Sequence, residues 1–398
     1  MGRERPLTTH SGRSFGQYFG RNITYKLTRT ERCFVKVGTF IPIVFDPESA
    51  ARWWENIPAA ARGADELGYD YVACDESAHD STLTMTLAAA SSERVELETS
   101  VTLAFPRSPF ILAMQAWDLQ LLSKGRFILG LGCSVPSHNE RRLSVPWAPG
   151  ARRMKEYIQC LHAIWDTFQN NTEPNFVGEY YRFQLMPAGY NPGPIQFPRP
   201  KVFLGAISNA MARVAGEVAD GVVPGGFMTE KYTREVYLPM VKVGLDRAGR
   251  TWNDIEIHGG PVAVFDERES EIVGAAQERA ARLIANAFSV NPYFVRVREK
   301  LFEMHGWHDL AERLHTFARE GKSQEEMQRI LPEEVLQAFV PPSSTLDGLP
   351  ETLRTHFEYA RRIEFNMLAH TPAERDRLRL ILKQVQATET PGVPVGLA

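Results

Sequence analysis

Cysteines are few in this 398-residue chain, long apolar runs are missing, and neither sign of charge dominates. The four cysteines, Cys33, Cys74, Cys133 and Cys160, form no CxxC pair and no metal-ligand spacing. That argues against a disulfide scaffold or a zinc module and for reduced thiols in a cytoplasmic protein without a metal. No apolar stretch approaches the roughly 20 residues needed to span a bilayer. A net charge of −3, with a pI near 6.4, offers no basic surface for nucleic acid or an acidic membrane. GxGxxG with a trailing acid, GxxxxGK[ST] and GxSxG are all missing, so neither a dinucleotide fold, a P-loop nor a nucleophile elbow is supported.

What is present is a repeating alternation. Residues 1–33 stand apart, with seven Lys/Arg against two acids and little apolar periodicity; they are expected to form a disordered basic tail. From Val35 onward, strand and helix patterns follow one another eight times without a break in composition. The strands are VKVGTFIPI, YDYVACD, VELETSVTL, FILGL, KVFLG, DGVVPGG, IEIHGGPVAVF and FNMLA. Pro109 opens one of the helices at its first turn, where proline is tolerated. Eight repeats of this kind predict an α/β fold, a single (β/α)8 TIM barrel over residues 34–390, ahead of a doubly wound open sheet. Two insertions at about 170–200 and 291–339 interrupt the repeat and are expected to roof the barrel mouth. Residues 391–398 read as a C-terminal tail.

In a parallel barrel the loops at the strand C-termini build the active site, so the chemistry-bearing residues are sought there. CDESAHD crowds Asp75, Glu76, His79 and Asp80 into one such loop, a pattern suited to acid/base work; alternatively, Asp75 and Ser77 cap the next helix. TSVT, residues 99–102, puts small hydroxyls at a strand end, although β-branched residues also simply favour strand. FILGLGCS ends in Gly130, Gly132 and Ser134, which lets a flat ligand or phosphate approach the backbone; the loop beyond carries His138, Arg141 and Arg142. Gly205-Ala206-Ile207-Ser208 leads into a helix N-terminus, whose free N–H groups attract an anion. Pro224-Gly225-Gly226 makes a second backbone-accessible turn beside it.

These motifs in this order resemble the luciferase-like monooxygenase superfamily. The matching pieces are VGTFIP, ADELGYDYVACDESAHD, the LxTSVT strand, SKGRFILGLG and AISNAMARVAGEVADGVV. HNERRLSVPW followed by RMKEYIQCLHAIW is similar to a subgroup of oxidoreductases that use the deazaflavin coenzyme F420. The resemblance covers roughly residues 35–385. It departs at Ser208, where the family usually has Gly, and at STLDGLPETL.

The resemblance implies a ring bound across the barrel mouth, propped by a non-proline cis peptide at Ser100-Val101. It implies a phosphate cradle at Ala206, Ile207, Ser208, Gly225 and Gly226. Hydride would pass between the deazaflavin and a small organic substrate, apolar or aromatic by the insertions' composition. His79 would serve as proton donor or acceptor with Glu76 orienting it, and Arg141 and Arg142 would neutralise an anionic group. FMN-dependent monooxygenation and a catalytically silent cofactor-binding barrel are the alternatives. A homodimer is the expected assembly.

Overall fold

Parallel strands pair edge to edge until the last returns to the first. The computed structural model describes residues 33–41, 52–261, 263–265, 269–289, 295–340, 343–345, 348–364, 371–394 and 396–397. The basic segment 1–32, and the disorder expected of it, lie outside these residues. After a short β1 (Cys33–Phe34) the first half alternates β2 (Lys36–Phe40), α1 (Trp53–Leu67), β3 (Tyr71–Cys74), α2 (Ser81–Ala89), β4 (Glu96–Thr99), β5 (Thr102–Leu103), α3 (Pro109–Leu122) and β6 (Phe127–Gly132). A one-and-a-half-turn α4 (Pro136–Arg141) precedes α5 (Gly150–Asn170), and a hairpin of β7 (Phe176–Val177) and β8 (Arg182–Phe183) follows. The barrel resumes with β9 (Lys201–Ala206), α6 (Asn209–Val218), β10 (Gly221–Pro224), α7 (Glu230–Tyr232), a π-helical segment (Thr233–Tyr237), α8 (Leu238–Arg247) and β11 (Glu256–Pro261).

Beyond β12 (Ala263–Phe265) come α9 (Glu269–Ser289), α10 (Val295–His305), α11 (His308–Arg319), α12 (Gln324–Gln328) and α13 (Glu333–Phe339). The chain ends with β13 (Ser343–Thr345), α14 (Leu349–His356), β14 (Arg362–Glu364), α15 (Pro372–Gln386) and β15 (Glu389–Thr390). The barrel order is β2, β3, β4/β5, β6, β9, β10, β11, β14, with β4 and β5 as two halves of one interrupted strand. Glu364 pairs with Gly38 and closes the ring as an eight-stranded parallel (β/α)8 barrel.

Side-chain alternation sorts the strands into two faces. Val72, Leu97, Leu129, Val202, Val222, Ile257 and Ile363 point outward into the continuous apolar core beneath the helices. The inward row is different: Tyr71, Glu98, Phe203, His258 and Arg362 are buried there as well. Two glycines make room for the rings, since a Cβ on Gly38 would lie 2.1 Å from the Tyr71 ring and one on Gly221 2.4 Å from Phe203.

The described part of the last barrel strand is Arg362–Glu364; FNMLA, residues 365–369, lies outside the described residues. Residues beyond β15 are docked rather than trailing: Val393 and Leu397 pack on the core, and Trp252 Nε1 donates to the Leu397 carbonyl at 2.8 Å. β15 itself pairs antiparallel with β1.

The first insertion lies along α3 and α5. Trp117 and Gln120 donate to the carbonyls of Gly193 and Pro198, and the Glu156 carboxylate receives the N–H groups of Glu179, Tyr180 and Tyr181. At its hairpin, Arg153 bonds the Tyr181 hydroxyl and stacks on Phe105. The second insertion packs on α9, and Phe339 meets Phe227 beside the β10 turn at 5.1 Å.

Candidate active site at the barrel mouth

The loop after β3 is organised by an arginine that the sequence reading passed over. Arg107 Nη2 stands 2.5 Å from Glu76 Oε1 and 2.6 Å from Asp80 Oδ2, while Nη1 donates to Glu76 Oε2 at 3.0 Å. The Leu103 N–H donates to the same Glu76 oxygen at 2.6 Å, and Tyr157 holds the Arg107 carbonyl. Burial penalises the guanidinium, yet Glu76 and Asp80 more than offset it and raise its pKa. Glu76 therefore fixes the loop to β5 and does not orient His79. The capping residue is Asp80, not Asp75 or Ser77: its Oδ1 receives the N–H groups of Thr82 and Leu83, worth about 1 kcal/mol. Burial would raise the Asp80 carboxyl, but these bonds and Arg107 bring it below the usual carboxylate range.

His79 is held by stacking. Its ring lies 4.5 Å from that of Trp53 with 17° between planes. Its Nε2 is buried and has no hydrogen-bond partner, and Asp75 Oδ1 in the same loop is likewise unpartnered. Burial raises the Asp75 carboxyl, with a Ser77 hydroxyl bond opposing. An unpartnered imidazole nitrogen in the same loop as a carboxyl of raised pKa is suited to exchanging protons with a bound molecule.

The neighbouring strand ends form the floor. The Ser100-Val101 peptide bond is cis. A Cβ on Gly132 would lie 2.4 Å from Val101 Cγ2, and one on Gly205 3.1 Å from Val101 Cγ1. Val101 thus fills the space that the glycine turn was expected to open to a ligand. Gly132, Gly205, Ser100 and Val101 converge on one spot.

Past the floor, Ser134 takes a left-handed conformation, φ 55°. Asn139, in the same polar loop, is buried and donates to the Cys133 and Val135 carbonyls. His138 and Arg141 lie exposed on α4. Arg142 ties this loop to the β3 loop by donating to the Ser77 carbonyl at 2.8 Å.

On the opposite side, Ser208 caps α6 by accepting the Met211 N–H at 3.2 Å. The first-turn N–H groups of Asn209 and Ala210 have no acceptor within the helix. Ala206 faces outward into the core and Ile207 is half-buried. A Cβ on Gly225 would lie 2.6 Å from Ile207, so that glycine accommodates a side chain. Around Gly226 the nearest atom is Leu283 Cδ1 at 3.8 Å. The accessible part of the expected cradle is thus the α6 N-terminus with Gly226. Among the described residues, no group of three or more His, Cys, Asp or Glu is placed to hold a metal ion, and no helix is long and apolar enough to cross a membrane.

Comparison with known proteins agrees with this geometry. The luciferase-like monooxygenase family profile matches residues 35–364. An uncharacterized Mycobacterium tuberculosis protein is 36% identical over 291 residues, 73% of this chain and 84% of that one. An F420-dependent glucose-6-phosphate dehydrogenase of Amycolatopsis mediterranei is 33% identical over 178 residues, 43% of this chain and 50% of that one. The coenzyme F420-dependent tetrahydromethanopterin reductase of Methanopyrus kandleri shares the fold with a TM-score of 0.64 at 16% identity, over 91% of this chain and 99% of that one. Its barrel, its mouth and its sequence together make this chain a member of the luciferase-like monooxygenase family.

Proposed function

We propose that this protein is a coenzyme F420-dependent oxidoreductase of the cytoplasm, moving a hydride between the deazaflavin and a small apolar or aromatic organic substrate. The observation that carries the reading is the buried, unpartnered Nε2 of His79 at the mouth of a barrel from an oxidoreductase family. The relative named for F420 dependence favours the deazaflavin.

The residues fit such a group. Two unpartnered polar atoms, His79 Nε2 and Asp75 Oδ1, wait at the mouth. The α6 N-terminus and Gly226 offer free N–H groups and open space to a phosphate. When bound, the deazaflavin supplies the hydride chemistry. Val101 would support the ring from below, Ser100 would flank it, and the Ser208–Ala210 turn would hold the phosphate. Exposed Arg141 and His138 would meet anionic parts outside the barrel. His79 Nε2 would take the proton from a substrate hydroxyl, or return one in the reverse direction.

The second reading, FMN-dependent monooxygenation, is favoured by the family's name and by the monooxygenases, one of them bound to FMN, among the solved structures that share the fold. A homodimer is part of the proposal. α2 and α3 leave Leu83, Ile111, Leu121 and Leu122 exposed on their outer faces, the kind of apolar surface that marks an interface.

The test is an anaerobic assay of purified protein with oxidised F420 and a panel of alcohols, following loss of the cofactor's absorbance. Reduction by at least one alcohol is expected. Bound F420 that no member of the panel reduces, in either direction, would favour the silent barrel.

A further inference from the structure

The His79 ring rests on Trp53 and its Nε2 is unpartnered, so its place depends on the loop that carries it. Residues 76–80 of that loop are held on both sides of the histidine by one side chain. Arg107 stands in the turn between β5 and α3, directly before the Ser108 cap. Its N–H donates to the Ala104 carbonyl at 3.0 Å, and its own carbonyl accepts the Tyr157 hydroxyl at 3.1 Å. The backbone of Arg107 is thereby fixed before its side chain reaches the β3 loop.

The guanidinium is fully committed there. Nη1 donates to the Leu103 carbonyl and to Glu76 Oε2, both at 3.0 Å. Nη2 serves Glu76 Oε1 and Asp80 Oδ2 together. The side chains of Arg107 and Glu76 are 16% and 13% exposed, so solvent and salt screen the pair little. Asp80, the residue after His79, divides its carboxylate between the α2 N-terminus and Arg107. A planar fork suits two carboxylates and a carbonyl at once, which a lysine ammonium does not. Without the fork, Glu76 and Asp80 would be like charges facing each other, and the loop between them would open.

We propose that Arg107 is the positioning residue for His79: by clamping Glu76 and Asp80 to the β5–α3 turn, it fixes the backbone that lays the imidazole on Trp53. This rests on the reading of His79 as the group that exchanges a proton with substrate. Arg107 acts through the loop and gives up no proton itself, since a guanidinium stays charged. Arg142, which donates to the Ser77 carbonyl from the exposed side, adds a single bond to a neutral acceptor and is the weaker tie.

The test reads the stack first in the ligand-free full chain, by NMR of ring-labelled histidine. The His79 signal, one of ten, is assigned by its loss in His79→Gln. At a fixed pH above the ordinary histidine range, the Trp53 ring should shift that signal upfield, and Trp53→Leu should abolish the shift. Arg107→Ala should move the signal towards its position in Trp53→Leu while the chain still melts cooperatively. Should that variant fail to fold, near-isosteric Glu76→Gln removes one charge from the clamp and should give part of the displacement. An undisplaced signal in the foldable variant overturns the proposal.

The second reading is kinetic. With F420 bound, the foldable variant should lower kcat, by about a hundredfold for Arg107→Ala, the cost of misplacing a catalytic group by about 1 Å. F420 affinity and the KM for the alcohol should stay within a few-fold. Retained turnover, or a loss of F420 affinity that matches the loss of turnover, would overturn the proposal. If F420 does not bind, the function proposed above fails while the ligand-free histidine signal still decides the positioning.

Discussion

In the proposed reaction His79 is the side chain on which the chemistry turns, and its setting separates binding from catalysis. Trp53 stacking fixes the ring, and no hydrogen bond commits Nε2. His79→Ala is expected to lower turnover by about 10²–10⁴-fold, the usual contribution of a general acid/base, and to leave F420 affinity within a few-fold. Unchanged turnover in steady-state assays would remove it from the mechanism. Gly226 carries the matching prediction for binding. A valine there meets open space in the protein but intrudes on a phosphate at α6, so Gly226→Val should weaken F420 by more than about tenfold, roughly 1.4 kcal/mol. A deazaflavin without its phosphate tail should bind both forms equally. Gly225→Val is a poorer probe, because its Cβ collides with Ile207 first.

Among the elements, those with local signals were legible and those set by long-range charge were not. Helix α3 begins where expected, because Ser108 caps it and Pro109 fits its first turn. The described residues of β14, Arg362–Glu364, were not read as strand, because the burial of Arg362 makes sense only once Glu96, Glu98 and Glu256 arrive from distant strands. In the same way, DESAHD announced a site but not the division of labour within it. Arg107 lies 31 residues from Glu76 in sequence, and nothing local reveals that it claims that carboxylate.

The β1–β15 pairing joins the two ends of the described chain and yields a test at this scale. A chain beginning at Cys33 should melt within about a degree of the full chain. One beginning at Lys36 loses the pairing of Cys33 with Thr390 and Phe34 with Glu389, and should melt about two to four degrees lower in a thermal scan, a loss on the order of 2–3 kcal/mol. Equal melting of both truncations would mean that the pairing adds nothing.

For the molecule as a whole, the strand–helix alternation was enough to give the barrel, because its outward strand faces are apolar and its helices amphipathic. The polar barrel interior and the packing of the first insertion along α3 and α5 depended on contacts between distant segments. The central claim is that an unpartnered imidazole nitrogen, a floor at Val101 and a helix N-terminus at the strand C-termini of one barrel serve one bound cofactor. It is tested most directly by titrating the purified protein with F420 and with FMN in parallel and following absorbance and fluorescence. The account predicts saturable F420 binding and at least about a hundredfold weaker binding of FMN, a gap of about 2.7 kcal/mol. FMN binding as tightly as F420, or better, would contradict it.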